Sequence, residues 1–433
     1  MDGRHVRSGA FLVDRRKALE KLRAFQLRDP ALAMDLCLRL AAASRARAIA
    51  VLRERRSLRV VFDGEPIGPG ELEDPWSCLF QDRGPRSERG RQLAFALLAA
   101  FRVGARRVVV SSGAGKERAG AAFESVERRK ASDPSAGASS ELALEWDGLA
   151  GEAQSRLLAR LEDPAAAALL PCRVSWPGGE REPRGAPAGA LAFRRGHVRG
   201  WLLARGTLDG HDSLLRAYHH GVLVEERALS LPVRVSAWVN DDRAALDASL
   251  GRLVPGERLD RFVALTLGCA LRLVLRLAEL QRERWPLLAS RLAEPAFLAR
   301  WESRSAWEPF GEDLEGSWRR LEPGLRAKDA ELPGLVRDAW RADWLHDAAE
   351  ALLTEPEADA ADAVRRALWT TPLFFASSGG TLTPLELHAQ WRRLGCAPYA
   401  RGRGQGPGVA WCPTARELSW LKRRFGEAVR EEG

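Results

Sequence analysis

The sequence predicts a mixed α/β chain divided into several domains, and three observations carry that expectation. Apolar-striped stretches long enough for helices alternate with short valine-rich runs bounded by Gly and Pro. A segment dense in Pro, Gly and charge, residues 177–187, interrupts the alternation and reads as a linker. The 433 residues also exceed what a single hydrophobic core usually serves.

Residues 10–56 read as helices, with Leu19, Leu22 and Phe25 opening an apolar stripe that Leu36, Leu40 and Ala43 continue. Residues 59–62 form a short strand that enters a Gly- and Pro-rich turn at 63–70. Residues 90–103 predict a helix, 107–110 a strand, and 132–140 a Ser/Gly/Pro loop. A strand at 142–146, a helix at 151–161 and a strand at 171–176 close the first block. Beyond the linker, 198–204, 214–225 and 231–239 read as strands and 259–283 as a long helix. Residues 284–370 read as helical and carry Trp285, Trp301, Trp307, Trp318, Trp340, Trp344 and Trp369. Such rings are first of all packing bulk; a partner-binding surface is the sharper alternative. Residues 371–433 read as a small separate α/β unit, with the glycine-rich stretch 401–408 as a flexible turn.

Composition excludes several classes. Lys+Arg 67 against Asp+Glu 58 leaves a formal charge of +9, nearly all of it arginine spread along the chain beside acids, which describes a solvated surface rather than a phosphate-binding face. No apolar run approaches the ~20 residues that span a bilayer, and the N-terminal stretch lacks the apolar core of a signal peptide. No membrane association is expected, and a cytoplasmic location is. Cys37, Cys78, Cys172, Cys269, Cys396 and Cys412 lie far apart without a CxxC pair, so they read as reduced, mostly buried thiols.

The usual catalytic motifs fail on inspection. Residues 108–116 end in Gly115-Lys116, but Val110 stands where a phosphate-cradling loop needs glycine and Glu117 where Ser or Thr would hold magnesium. His219-His220, with His211 and Asp212 nearby, raises a metal site. Adjacent residues of a regular strand point to opposite faces, so no shared ion, and no metal, is expected there. The glycines at 402–408 lack the spacing of a dinucleotide loop, and no nucleophile elbow or zinc-protease motif is present.

What remains is an order of elements. Residues 38–46 lie on a helix, Val61-Phe62-Asp63-Gly64 end a strand, and residues 90–103 with 107–110 form a helix and a strand. In order and spacing these resemble the ELIxNAxDA, DxGxGM and SAFxVAxxVxV motifs of the ATP-binding domain of the GHKL superfamily, specifically the 90-kilodalton heat-shock chaperones. Residues 221–226, 231–235 with 239–242, and Leu246-Asp247-Ala248-Ser249 resemble that family's middle-domain strands and its VVDSxDLPLNxSRE segment. The resemblance covers roughly residues 10–285. It implies an α/β (α+β) sandwich over 10–176 as the ATP-binding domain, the linker 177–188, and a shortened α/β middle domain over 189–285. A Trp-rich helical domain (286–370) and a small C-terminal unit (371–433) would follow.

The resemblance also implies a nucleotide site, built from Asp63, Gly64, Ala42, Ala94 and Ala96, that has decayed. Leu38 stands in place of the general-base glutamate, and an apolar side chain cannot activate water. Ala42 replaces the magnesium-binding asparagine and offers no oxygen ligand. Ala94 and Ala96 replace lid glycines, whose freedom lets amides wrap phosphate. Leu250 replaces the arginine that faces the γ-phosphate, with Arg252 two residues on. Asp63 alone is kept, as partner of the adenine amino group or, alternatively, as an Asx-turn or helix-capping residue in the Gly/Pro-rich turn. ATP or ADP is thus the implied ligand, without a place for magnesium and without a catalytic residue. Phosphoryl transfer rests on positioning and charge neutralisation, so the implied function is a pseudo-ATPase or scaffold. It would bind a protein client or co-encoded partner through its middle and helical domains. Two alternatives stay open: a diverged but active chaperone in which Asp35 or Glu54 supplies the carboxylate, and a nucleic-acid-associated protein like the mismatch-repair MutL proteins. The family dimerises through its C-terminal domain, which residues 371–433 do not resemble.

Overall fold

The computed structural model describes residues 15–292 except 26–30, 81–84, 149, 188, 206–211 and 248. It continues with 294–302, 322, 326 and 330–432, except 405, 407, 413 and 414. The first block contains α1 (Arg15–Phe25), α2 (Leu32–Ala43), β1 (Ala48–Arg53), β2 (Ser57–Phe62), α3 (Pro69–Glu73) and α4 (Pro85–Arg102). Then come β3 (Arg107–Ser112), β4 (Ala119–Phe123), β5 (Arg129–Ala131), β6 (Ser140–Glu145), α5 (Gly151–Glu162), β7 (Arg173–Trp176) and β8 (Gly179–Arg181). Its eight strands form one sheet in the order β5-β4-β3-β6-β2-β1-β7-β8. Every neighbouring pair is antiparallel except β1 with β7.

Side-chain alternation fixes which face is covered. Ile49, Val51, Leu58, Val60, Phe62, Val108 and Val110 all point to one side, where α2, α4 and α5 bury them in a single core. The result is a two-layer sandwich. Residues 48–53, expected to be helical, are instead β1, because the alternation of Ile49 and Val51 has a ready partner in β2, with Ala50 opposite Val61. Part of the expected linker is also structured. Trp176 pairs with Gly179 across Pro177-Gly178, so a hairpin carries β8 back onto the sheet edge.

The second sheet holds β9 (Leu191–Arg195), β10 (Val198–Ala204), β11 (Ser213–His219), β12 (Val222–Leu229) and β13 (Val235–Asp241), in the order β12-β11-β13-β10-β9. Residues 214–225, expected as one strand, are two. His220 at φ 53° and Gly221 at φ 78° make a two-residue hairpin turn with positive φ at both central positions, which matches the twist of the flanking strands. Against this sheet lies α6 (Glu257–Arg291), followed by α7 (Pro295–Glu302), α8 (Leu332–Leu352), α9 (Pro356–Asp359) and α10 (Ala363–Trp369).

The third sheet is built from β14 (Phe374–Ala376), β15 (Thr381–Leu382), β16 (Ala397–Ala400), β17 (Ala410–Trp411) and β18 (Val429–Glu431), with α11 (Pro384–Leu394) and α12 (Ala415–Phe425) beside it. It is not separate, as the sequence had implied. Val235 and Val239 of the second sheet, Leu273 of α6, Trp344 of α8 and Leu387 and Trp420 of the C-terminal helices share one core. Trp285, Trp344 and Trp369 are buried, and Trp344 donates its Nε1 proton to the Arg234 carbonyl at 2.7 Å, so these rings serve packing. Trp307, Trp318 and the side chain of Trp301 lie outside the described residues, as do residues 405 and 407 of the glycine-rich loop.

Among the described residues, no helix is long and apolar enough to cross a membrane. All six cysteines are unpaired, five of them buried, and burial pushes the Cys37 and Cys172 thiols up to about 12.

Candidate functional site

The residues expected around a nucleotide divide between an exposed turn, with Asp63 and Gly64, and a closed core, with Leu38, Ala94 and Ala96. Asp63 sits at an exposed turn, where its Oδ1 accepts from the backbone N–H of Arg47 at 2.8 Å and of Ala48 at 2.6 Å. It therefore ties down the start of β1, which is neither the Asx-turn nor the helix cap expected as the alternative to an adenine partner. Gly64 is required for packing: a Cβ there would lie 2.4 Å from the Ser44 carbonyl oxygen, which already accepts from Glu65 N at 2.6 Å. Ala42 is half-buried at the end of α2. Ala94 and Ala96, placed by the resemblance in a lid, are 0 % exposed inside the continuous helix α4, and Leu38 on α2 is 1 % exposed in the same core.

Neither carboxylate offered as a substitute base is unengaged. Glu54 is exposed and accepts from Ser57 and Arg59, whose bonds hold it below its ordinary value. Asp35 is buried and accepts from Arg160 Nε at 3.1 Å on each oxygen. Gly115-Lys116 lies in a single 3₁₀ turn joining the antiparallel strands β3 and β4, not at the start of an α-helix. Arg252 is exposed.

Buried polar groups gather elsewhere, at the tip of the β11–β12 hairpin, which is driven into the first sandwich. Val222 belongs to the first core. Leu223 N donates to the Ala166 carbonyl at 2.8 Å and Tyr218 Oη to the Ala165 carbonyl at 3.1 Å. Gly221 lies so close to the segment after α5 that a Cβ would stand 2.5 Å from Leu170 Cα. Two clusters flank this tip.

The first cluster joins α2, α5 and the loop after β13. Arg39, 3 % exposed, donates from Nη1 to the Leu250 carbonyl at 3.2 Å and from Nη2 to the Leu223 carbonyl at 3.3 Å. Leu250, expected in place of a phosphate-facing arginine, thus serves as a backbone acceptor, and its side chain closes the first core at φ 57°. Burial drives Arg39 down to about 10 and Asp35 up to about 6, against the opposing pull of Arg160 and Arg39 on Asp35. Beside them is a cavity of about 80 Å³, lined in part by Asp35, Arg39, Arg160 and Glu225.

The second cluster joins α4 to the turn itself. His219 Nε2 and His220 Nε2 lie 4.0 and 3.4 Å from Glu88 Oε1, and the two rings meet edge to face with centroids 4.4 Å apart. Positive φ at His220 explains why adjacent side chains converge: the chain has already left the strand and is reversing, so the opposite-face rule does not apply. Asp242 Oδ1 accepts from His220 N at 3.0 Å and from Asn240 Nδ2 at 2.9 Å, while Asn240 Oδ1 accepts from Gly221 N at 2.6 Å. Glu88 accepts from Gln92 at 2.8 Å and from Arg91 at 3.1 Å. Burial acting alone would raise its carboxyl, but the bonds from His220 and Gln92 and the neighbouring imidazoles outweigh that and hold it at about 2.

Sequence reasoning missed Glu88, which lies more than a hundred residues from its partners. The signal for the histidines was Gly221, a turn residue between two apolar runs. His211 lies outside the described residues.

No family model matches the chain, and no curated protein matches it. Among solved structures it is similar to the ATPase region of Saccharomyces cerevisiae topoisomerase II, at 11% identity and a TM-score of 0.33, over 55% of this chain and 84% of that one. A likeness that slight defines no class.

Proposed function

We propose that this protein is a scaffold on a GHKL-like sandwich that has given up nucleotide hydrolysis and works by binding a protein partner. The observation that carries the reading is α4. Where a mobile glycine lid would close over phosphate, a continuous helix packs Ala94 and Ala96 at 0 % exposure into the same core as Leu38. Phosphate binding needs solvated backbone amides free to turn inward, and the interior amides of a buried helix are already bonded to carbonyls four residues back. Asp63 adds support, since its Oδ1 accepts two backbone amides and ties the residue to the start of β1 at an exposed turn.

Surfaces then remain as the working part. On α8, Trp344 belongs to the core whereas Trp340 is half-buried, so Trp340 is the tryptophan of that helix to substitute when a partner is sought.

Calorimetry with ATP and ADP, with and without magnesium, tests the reading. No binding at millimolar nucleotide is expected. Magnesium-dependent binding that Asp63→Asn abolishes would overturn it and return the chain to the active chaperones.

A further inference from the structure

We propose that Glu88, His219 and His220 form a binding site for one divalent transition-metal ion of the zinc class, and that the ion clasps α4 to the β11–β12 hairpin. Two imidazole nitrogens and a carboxylate oxygen are a donor set suited to such an ion. The three candidate ligand atoms all lie within 4.8 Å of one another. Ligand atoms around a tetrahedral ion at about 2.0–2.1 Å stand roughly 3.3 Å apart. The 3.4 and 4.0 Å separations from Glu88 Oε1 are already near that spacing.

The surroundings orient the ligands as metal sites require. Asp242 Oδ1 lies 3.6 Å from His220 Nδ1, on the side of the ring away from Glu88, and is itself fixed by Asn240 and the His220 amide. A proton on Nδ1, the nitrogen facing that carboxylate, would leave Nε2 as the ligating atom. Gln92 and Arg91 hold the Glu88 carboxylate in place. The histidine side chains are 4 % and 9 % exposed and that of Glu88 24 %, so the ion enters from the Glu88 side. With three protein ligands, water takes the fourth position.

Two features argue against a chance meeting of side chains. His220 occupies a left-handed backbone position that non-glycine residues seldom hold, and that conformation is what turns the two rings toward one point. The ligands also come from two separate layers of the molecule, so the ion bridges elements otherwise joined by packing. The proposal is independent of the nucleotide reading: a live ATP site would leave it standing.

The test uses the full-length chain, stripped with chelator and dialysed against Zn(II) or Co(II). One ion per chain is expected by elemental analysis, with a thermal midpoint that rises with zinc concentration. Bound cobalt should give the intense visible absorption of a four-coordinate ion. His220→Asn keeps a residue that tolerates positive φ and should weaken binding by about 100-fold, while Glu88→Gln keeps the hydrogen-bonding shape and should weaken it by about 10-fold. Cys396→Ser, which removes the most accessible thiol, should leave binding unchanged. Failure to retain stoichiometric metal would overturn the proposal. So would affinity that Glu88→Gln, a change on a partly exposed helix turn, does not alter.

Discussion

The α2–α4 pair presents two environments a few residues apart. Around Leu38, Ala94 and Ala96 everything is apolar and sealed. At Asp35, Arg39 and Glu88, on the same two helices, charged groups meet the hairpin that enters from the second sheet. A dry, close-packed interior is rigid and offers a ligand nothing to bind. A buried polar junction is costly unless every group finds a partner, and it specifies geometry when they do. The contrast teaches that the sandwich gathers its buried polar groups at the seam with the second sheet, not in the interior between α2 and α4.

A carboxylate set into the apolar side should break it outright. Leu38→Glu would place a carboxylate in the first core without a partner, costing on the order of 5 kcal/mol in denaturant unfolding, with no gain of ATP binding. On the polar side, Gly221→Ala puts a methyl against the Leu169–Leu170 backbone at a positive φ. A loss of about 3 kcal/mol is expected by the same measurement.

A pH comparison separates the two environments further. Asp35 rises from an ordinary 3.8 to about 6 on burial, so between those values the folded chain holds a proton that the unfolded chain releases. The stability this group contributes is full below the lower value and lost as pH climbs through the upper one. The stability of the wild type relative to Asp35→Asn should therefore fall by up to about 3 kcal/mol from pH 4 to pH 7 and stay level above. A difference independent of pH would mean that Asp35 is not buried as described. The smallest effect is expected at the exposed turn: Asp63→Ala removes the cap on β1 and should cost about 1 kcal/mol.

Most elements were legible in the sequence because their periodicity is local. The helix at 90–103, the strands at 59–62, 107–110 and 198–204, and the long helix at 259–283 all follow from apolar spacing. The failures share a cause, which is pairing at a distance. Residues 48–53 became a strand because β2 and β7 flank them, and residues 179–181 because β7 does. The shared core that absorbs the C-terminal unit has no local signature at all. At the seam, one dihedral decided the outcome. On a regular strand His219 and His220 would diverge, and a turn of the His-Gly type lacks the Asn-Gly or Asp-Gly signal by which such hairpins are recognised.

Hydrogen exchange along α4, with and without millimolar magnesium-ATP, tests the central claim most directly. If the helix is a core element, the amides from Ala94 to Ala100 should be among the slowest in the chain, and nucleotide should leave them unchanged. Fast exchange there, or protection that appears only with nucleotide, would show a lid that opens and closes and would contradict the account.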